Sequence, residues 1–308
     1  WATGVSVEEP GLPDLTVSPG GQVYFDSAPL PGVSPADAEG DQIYTVPITG
    51  GSVVEVAPGS DPQVSPNGQF LAYLASTGSG EAPYLSSAGG IEIATLAGAQ
   101  LTPVRTLHPD PAQQNQGASD LSWSPDGQRL SFDLLDGVAD TTTSWTIALA
   151  GAGSSLAMAQ QIPLQPAGLT WNGYWRVGGP GAALGIGVLT SPSPDPPLAA
   201  TQRIVTVDPS TGRVVRHLFT VPEAVCTAVS PSVPSDCDAD FTDALSVDAA
   251  GTSVLVGGAI PFSYGQVSTS GETSLYRWSV GSAQAVRLSS GVLVACWGPA
   301  QAGPHREA

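Results

Sequence analysis

The chain contains no lysine. All nine of its basic residues are arginine, against 27 acidic ones in 308, for a formal net charge of −18. A nucleic acid is held by basic side chains that displace its counterions, so this balance argues against nucleic-acid binding and keeps the chain away from anionic membrane surfaces. Asparagine is scarce while Ala, Gly, Pro and Val abound, so the lysine gap reads first as a coding bias, with consequences for solubility and partners but not for fold. Histidine occurs three times, at His108, His217 and His305. None has a positioned partner nearby in sequence, which a general base requires. The Gly-x-Ser-x-Gly nucleophile elbow does not occur in these 308 residues, so a hydrolase domain built around that turn is not expected within them. No apolar run approaches the length of a membrane span, and helical periodicity is nowhere sustained.

Cysteine is also scarce. Cys226 and Cys237 lie close together in a polar, Pro-rich stretch and are expected to close a small loop, which fits an oxidising, exported setting. Cys296 lies in the apolar run Val292-Leu293-Val294-Ala295 and reads as a buried thiol. A bond from Cys296 to either of the others stays open, because connectivity does not follow from sequence. The chain starts at Trp1, so a processed or cut N-terminus is expected, and the only membrane tether in this reading is an anchor upstream of Trp1.

What the sequence does contain is a phrase said three times: Ser18-Pro19-Gly20-Gly21-Gln22, Ser65-Pro66-Asn67-Gly68-Gln69 and Ser124-Pro125-Asp126-Gly127-Gln128. In each copy Pro fixes one φ angle and Gly supplies a positive one, which makes a tight turn. Each turn joins two short apolar runs; in the third copy these are Leu121-Ser122-Trp123 and Leu130-Ser131-Phe132. Two further strands follow each copy. Asp41 to Pro47 and Ser52 to Val56 complete the first, Ile91 to Leu96 and Leu101 to Leu107 the second, and Ser144 to Leu149 with Gln160 to Leu164 the third. Weaker copies open at Leu169-Thr170-Trp171-Asn172-Gly173 and at Leu245-Ser246-Val247-Asp248-Ala249-Ala250-Gly251. The first of these is continued by Leu184 to Leu189, Arg203 to Val207 and Val214 to Phe219, the second by Val254 to Val256, Ser274 to Trp278 and Ala283 to Leu288.

Four antiparallel strands recurring every roughly 40–50 residues are the blades of a β-propeller. The expected architecture is therefore all-β: one propeller domain over residues 1–308, with loop insertions in the fourth blade at 190–200 and 221–242. Five full blades are expected, with a partial seam made by Val292 to Cys296 and Ala2 to Val7; the alternative is a six-bladed ring. Trp123-Ser124-Pro125-Asp126-Gly127 with Leu130-Ser131-Phe132 resembles the repeat of the TolB-like, WD40-like (PD40) propeller family. The resemblance covers nearly the whole chain. It implies an extracytoplasmic bacterial protein (secreted, periplasmic or at the cell surface) that binds a protein or cell-envelope component.

Few residues carry a chemical signature. Asp236, Asp238 and Asp240 alternate as the first ligands of a calcium loop do, so they are the candidate Ca²⁺ site, with a solvated acidic loop as the competing reading. No other cofactor is indicated. Asp14, Asp61 and Asp120 recur just before the inner strands, with Asp243 nearby, and read as turn caps. Trp123, Trp171, Trp278 and Trp297 lie in or beside strands and read as packing between blades ahead of a ligand-stacking set. The functional expectation is a non-enzymatic binding module. The alternatives are a propeller hydrolase or lyase acting on a glycan or lactone with acids around the channel, and the sensor domain of a membrane-anchored regulator.

Overall fold

The computed structural model describes residues 15–35, 40–75, 90–97, 100–108, 116–136, 141–150, 153–175, 184–191, 201–220, 245–247, 253–257, 262–263, 266–267, 274–279, 281–282 and 285–290. These residues form strands in antiparallel sheets, with one 3₁₀ turn at Leu156–Met158. Blade 1 comprises β1 (Leu15–Val17), β2 (Gln22–Ser27), β3 (Gln42–Pro47) and the first half of β4 (Val54–Val64). Blade 2 takes the second half of β4 as its inner strand and continues with β5 (Phe70–Ala75), β6 (Ile91–Ala97) and β7 (Gln100–Leu107). Blade 3 is β8 (Gln116–Trp123), β9 (Arg129–Asp136), β10 (Thr141–Ala148) and the short β11 (Gln160–Gln161).

Blade 4 is β12 (Leu169–Trp175), β13 (Leu184–Ser191), β14 (Thr201–Val207) and β15 (Val214–Thr220). In blade 5, β16 (Leu245–Val247) and β17 (Ser253–Gly257) are followed by a small hairpin that the sequence did not suggest, β18 (Phe262–Ser263) and β19 (Gln266–Val267). The blade ends with β20 (Ser274–Ser279) and β21 (Ala285–Ser290). Five four-stranded units are thus present among the described residues. The expected seam strands at Val292 to Cys296 and Ala2 to Val7 lie outside those residues, as do 192–200 and 221–242 of the fourth-blade insertions.

The repeated phrase folds as its residues dictate. In the third copy Ser124 Oγ donates to Asp126 Oδ1 at 2.6 Å, while Gln128 N also donates to that oxygen and Arg129 N donates to Ser124 Oγ. Asn67 and Ser65 make the same set in the second copy. Gly68 and Gly127, at φ 69° and 67°, take the left-handed position that closes the turn. The fourth copy departs from the sequence reading. Asn172-Gly173 is not a turn but lies inside β12, where the register with β13 breaks between Trp171 and Tyr174. The chain reverses only after Trp175, because Trp171-Asn172-Gly173 lacks the Ser-Pro that starts the turn elsewhere.

Blade 1 passes into blade 2 without a loop. Gly59 marks the handover in β4: its φ is 151°, and a Cβ there would run into the Leu74 carbonyl oxygen. Only glycine fits that approach. Between blades the core is aromatic. Trp123 stacks on Phe70 of blade 2 with centroids 6.4 Å apart, and its Nε1 donates to Gln63 O at 2.8 Å. Trp171 Nε1 donates to Ser131 Oγ of blade 3, and Tyr174 OH bonds Thr146 Oγ1. Phe219 of blade 4 stacks on Trp278 of blade 5 at 4.4 Å. Each buried tryptophan removes a large apolar surface from water and finds a partner for its N–H, the packing role expected from their strand positions.

Candidate functional site at the inner strands

Three inner strands break their ladders at the same place. The register of β4 with β5 shifts between Ser60 and Gln63, that of β8 with β9 between Ser119 and Ser122, and that of β12 with β13 between Trp171 and Tyr174. Each break ends one residue before the last pair of the strand, so the bulged pairs Asp61-Pro62, Asp120-Leu121 and Asn172-Gly173 are equivalent. A bulge re-aims side chains and exposes backbone groups that need new partners. Asp61 and Asp120 have φ of 50° and 56°, in the left-handed region that Asp and Asn tolerate better than most residues. Asp61 and Asp120 therefore sit in bulges and do not cap turns.

At two of these breaks side-chain oxygens, those of Asp61 and Ser122, accept from the next blade. Asp61 Oδ2 accepts from Leu121 N of blade 3 at 2.7 Å, and Asp61 Oδ1 accepts from Gln63 Nε2. The Asp61 N–H in turn donates to Asp26 Oδ2 of blade 1 at 2.8 Å. Asp26 therefore reaches blade 2, and Asp61 reaches blade 3. At the next step Ser122 Oγ accepts from Tyr174 N of blade 4. Asp120 Oδ2 accepts from Ser119 Oγ at 2.7 Å.

A fourth carboxylate completes the group. Val23, Leu71 and Leu130 each pair with the last residue of an inner strand, and three residues further on stand Asp26, Leu74 and Asp133. Asp133 is thus the blade 3 counterpart of Asp26. It is 7% exposed, and its Oδ1 is buried with no hydrogen-bond partner among the described residues. Both polar atoms of the Asn172 side chain are in the same condition.

Burial decides the protonation of these acids. Desolvation, reinforced by the charges of Asp120 and Asp26 and opposed by the Leu121 N–H and Gln63, raises the pKa of Asp61 to about 8. Desolvation and the charge of Asp120 raise that of Asp133 to about 7, against a hydrogen bond with Ser144. In both side chains burial favours the neutral form over the carboxylate. The arrangement can hold and exchange protons. It does not gather three His, Cys, Asp or Glu side chains into a metal-binding geometry among the described residues.

The residues singled out in sequence fare differently. Asp61 and Asp120 come together with Asp26 and Asp133, two acids that the repeat did not flag because Leu74 breaks the series in blade 2. A pairing register, not a spacing in the sequence, reveals them. His108 and His217 are exposed, His217 on the outer strand of blade 4, away from these acids in the chain's topology. Asp236, Asp238, Asp240, Cys226, Cys237, Cys296, Asp14, Asp243, Trp297 and His305 lie outside the described residues.

No family model and no curated protein matches the chain. Solved structures do. A protein of Agrobacterium tumefaciens assigned as TolB superposes with a TM-score of 0.52 at 12% identity, over 90% of this chain and 80% of that one. The β-propeller domain of Myceliophteria thermophila Cps50 (Swd1) aligns over 93% of this chain and 90% of its own, with a TM-score of 0.43 at 12% identity. An oligogalacturonate lyase in complex with manganese aligns over 90% of this chain and 76% of its own, with a TM-score of 0.45 at 12% identity. The chain has a β-propeller fold, and the likeness to these structures is one of fold alone.

Proposed function

We propose that this propeller is an exported binding module that presents its surface to a protein or cell-envelope component. The observation that carries this reading is the use of the inner acids. Asp26 and Asp61 spend their carboxylates on backbone N–H groups of the adjacent blade, so the cluster serves to hold the ring and leaves the exterior for recognition. No described helix is long and apolar enough to cross a membrane. The test is co-sedimentation of the purified chain with separated envelope protein, polysaccharide and lipid fractions, alongside a turnover assay on glycans and lactones. Retention on one fraction without turnover is expected. Turnover with no retention overturns the reading.

A second reading has an observation of its own. Asp61, Asp120 and Asp133 converge, and a carboxyl with a pKa near neutrality is suited to general acid–base work on a glycan or lactone. In that reading Asp133, with an oxygen left unpartnered, is the acid–base group. Turnover that disappears in Asp133→Asn while the melting curve is preserved would select it.

A further inference from the structure

Two asparagines of this chain precede glycine, in Asn67-Gly68 and Asn172-Gly173. In such a pair the glycine nitrogen, with no Cβ beside it, can close on the side-chain carbonyl carbon of the asparagine. The reaction needs both partners free to move toward each other. The fold treats the two pairs in opposite ways.

Asn67 and Gly68 are held. Asn67 Oδ1 accepts from Ser65 Oγ at 2.8 Å and from Gln69 N at 3.0 Å, and Asn67 Nδ2 donates to Gln69 Oε1 at 3.2 Å. The nucleophile is occupied too, because Gly68 N donates to Ser65 O at 2.8 Å to close the turn. Asn172 and Gly173 instead form the bulge of β12, where pairing with β13 passes from Trp171 directly to Tyr174 and leaves both residues out of the ladder. Neither polar atom of the Asn172 side chain has a hydrogen-bond partner among the described residues. The glycine cannot be exchanged. Its φ is 102°, and a Cβ on it would stand 2.6 Å from Ser122 Oγ, the atom that accepts from Tyr174 N. The two equivalent bulges lack this chemistry. Asp61 precedes Pro62, whose nitrogen carries no hydrogen, and Leu121 N, which follows Asp120, is bonded to Asp61 Oδ2.

We infer that Asn172-Gly173 is a self-modifying site: in the folded chain Asn172 deamidates and leaves a carboxyl in the third inner bulge, as Asp61 and Asp120 do in the other two. Gly173 N attacks Asn172 Cγ, so a Cγ–N bond forms as the Cγ–Nδ2 bond breaks. The glycine proton passes through water to the amide nitrogen, which leaves as ammonia. Water then opens the cyclic imide at either carbonyl and gives aspartate or isoaspartate at position 172. In sum, water is consumed and ammonia released, with no oxidant or reductant. The aspartyl product matches Asp61 and Asp120 in residue type and in register. The modification depends on neither the binding reading nor the acid–base reading.

The test incubates the full chain in neutral buffer made with heavy-oxygen water, once folded and once in urea. Peptide mapping by mass spectrometry then follows both asparagines in the same sample. In the folded chain Asn172 should take up heavy oxygen roughly tenfold faster than Asn67 or more, because the Asn67 pair must first break several hydrogen bonds. In urea those bonds are gone and the two rates should converge. On ion exchange, the main acidic species that accumulates in aged wild type should be absent from aged Asn172→Gln. An Asn172 that stays intact in the folded chain, or that reacts no faster there than Asn67, overturns the proposal. So does a preference for Asn172 that persists unchanged in urea, or an acidic species that still forms in Asn172→Gln.

Discussion

The inner strands β4, β8 and β12 bulge at Asp61, Asp120 and Asn172; the outer strands of blades 1, 2, 4 and 5 bulge at Val56, Val104, Val215 and Leu288. The geometry is shared, with one surplus residue against the partner strand, yet the side chains are opposite in kind. The inner bulge at Asp61 frees backbone groups in a buried place, so a side chain that can accept from a neighbouring N–H is needed there. An outer bulge frees them into solvent. Its surplus residue carries no polar duty, and the kink twists an otherwise open edge away from other edges. The inner breaks thus tie blades together, while three of the outer ones leave an apolar side chain, Val104, Val215 or Leu288, exposed.

This contrast sets an order of expected effects. The largest belongs to Gly59→Ala, which puts a Cβ against the Leu74 carbonyl at a positive φ; a loss of about 3 kcal/mol or more in urea unfolding is expected. Asp61→Ala follows, at about 2–4 kcal/mol, because it strands the buried Leu121 N–H and keeps an unfavourable φ. Trp123→Phe removes the bond to Gln63 O and part of the stacking on Phe70, for about 1–2 kcal/mol by the same assay. Val104→Ser, at the outer bulge of blade 2, should change the unfolding midpoint by no more than about 0.5 kcal/mol. A cost at Val104 comparable to that at Asp61 would erase the distinction between the two kinds of bulge.

Much of the fold was legible in the chain. Ser-Pro-x-Gly turns and alternating runs mark the strands of blades 1 to 3 to within a few residues, since turn chemistry and a period of two are local properties. Blade 4 shows where that reading ends. Asn172-Gly173 has the composition of a turn, and only the pairing of β12 with β13 shows it to be a bulge. The acid cluster was half legible. Asp61 and Asp120 recur at a fixed offset from the turn, but the bond that Asp61 makes to the next blade joins residues sixty positions apart. Asp26 and Asp133 share a register position that a one-residue difference in turn length hides from a sequence alignment.

The central claim is that Asp61 joins the blades as a buried, neutral carboxyl. Its pKa in the folded chain is raised, so the unfolded chain gives up this proton first as pH rises. The stability it contributes is complete below the unfolded carboxyl pKa of about 4 and is lost as pH climbs through about 8. Asp133 acts in the same direction, up to about pH 7. Repulsion among the excess acids also weakens the fold at high pH, so the decisive measurement compares two chains: thermal melting of wild type and Asp61→Asn from pH 5 to pH 9. The amide mimics the neutral acid and cannot ionise. The account expects nearly equal melting temperatures at pH 5, and a steeper decline toward pH 9 in wild type than in the variant. Parallel curves, or a variant destabilised equally at every pH, would contradict it.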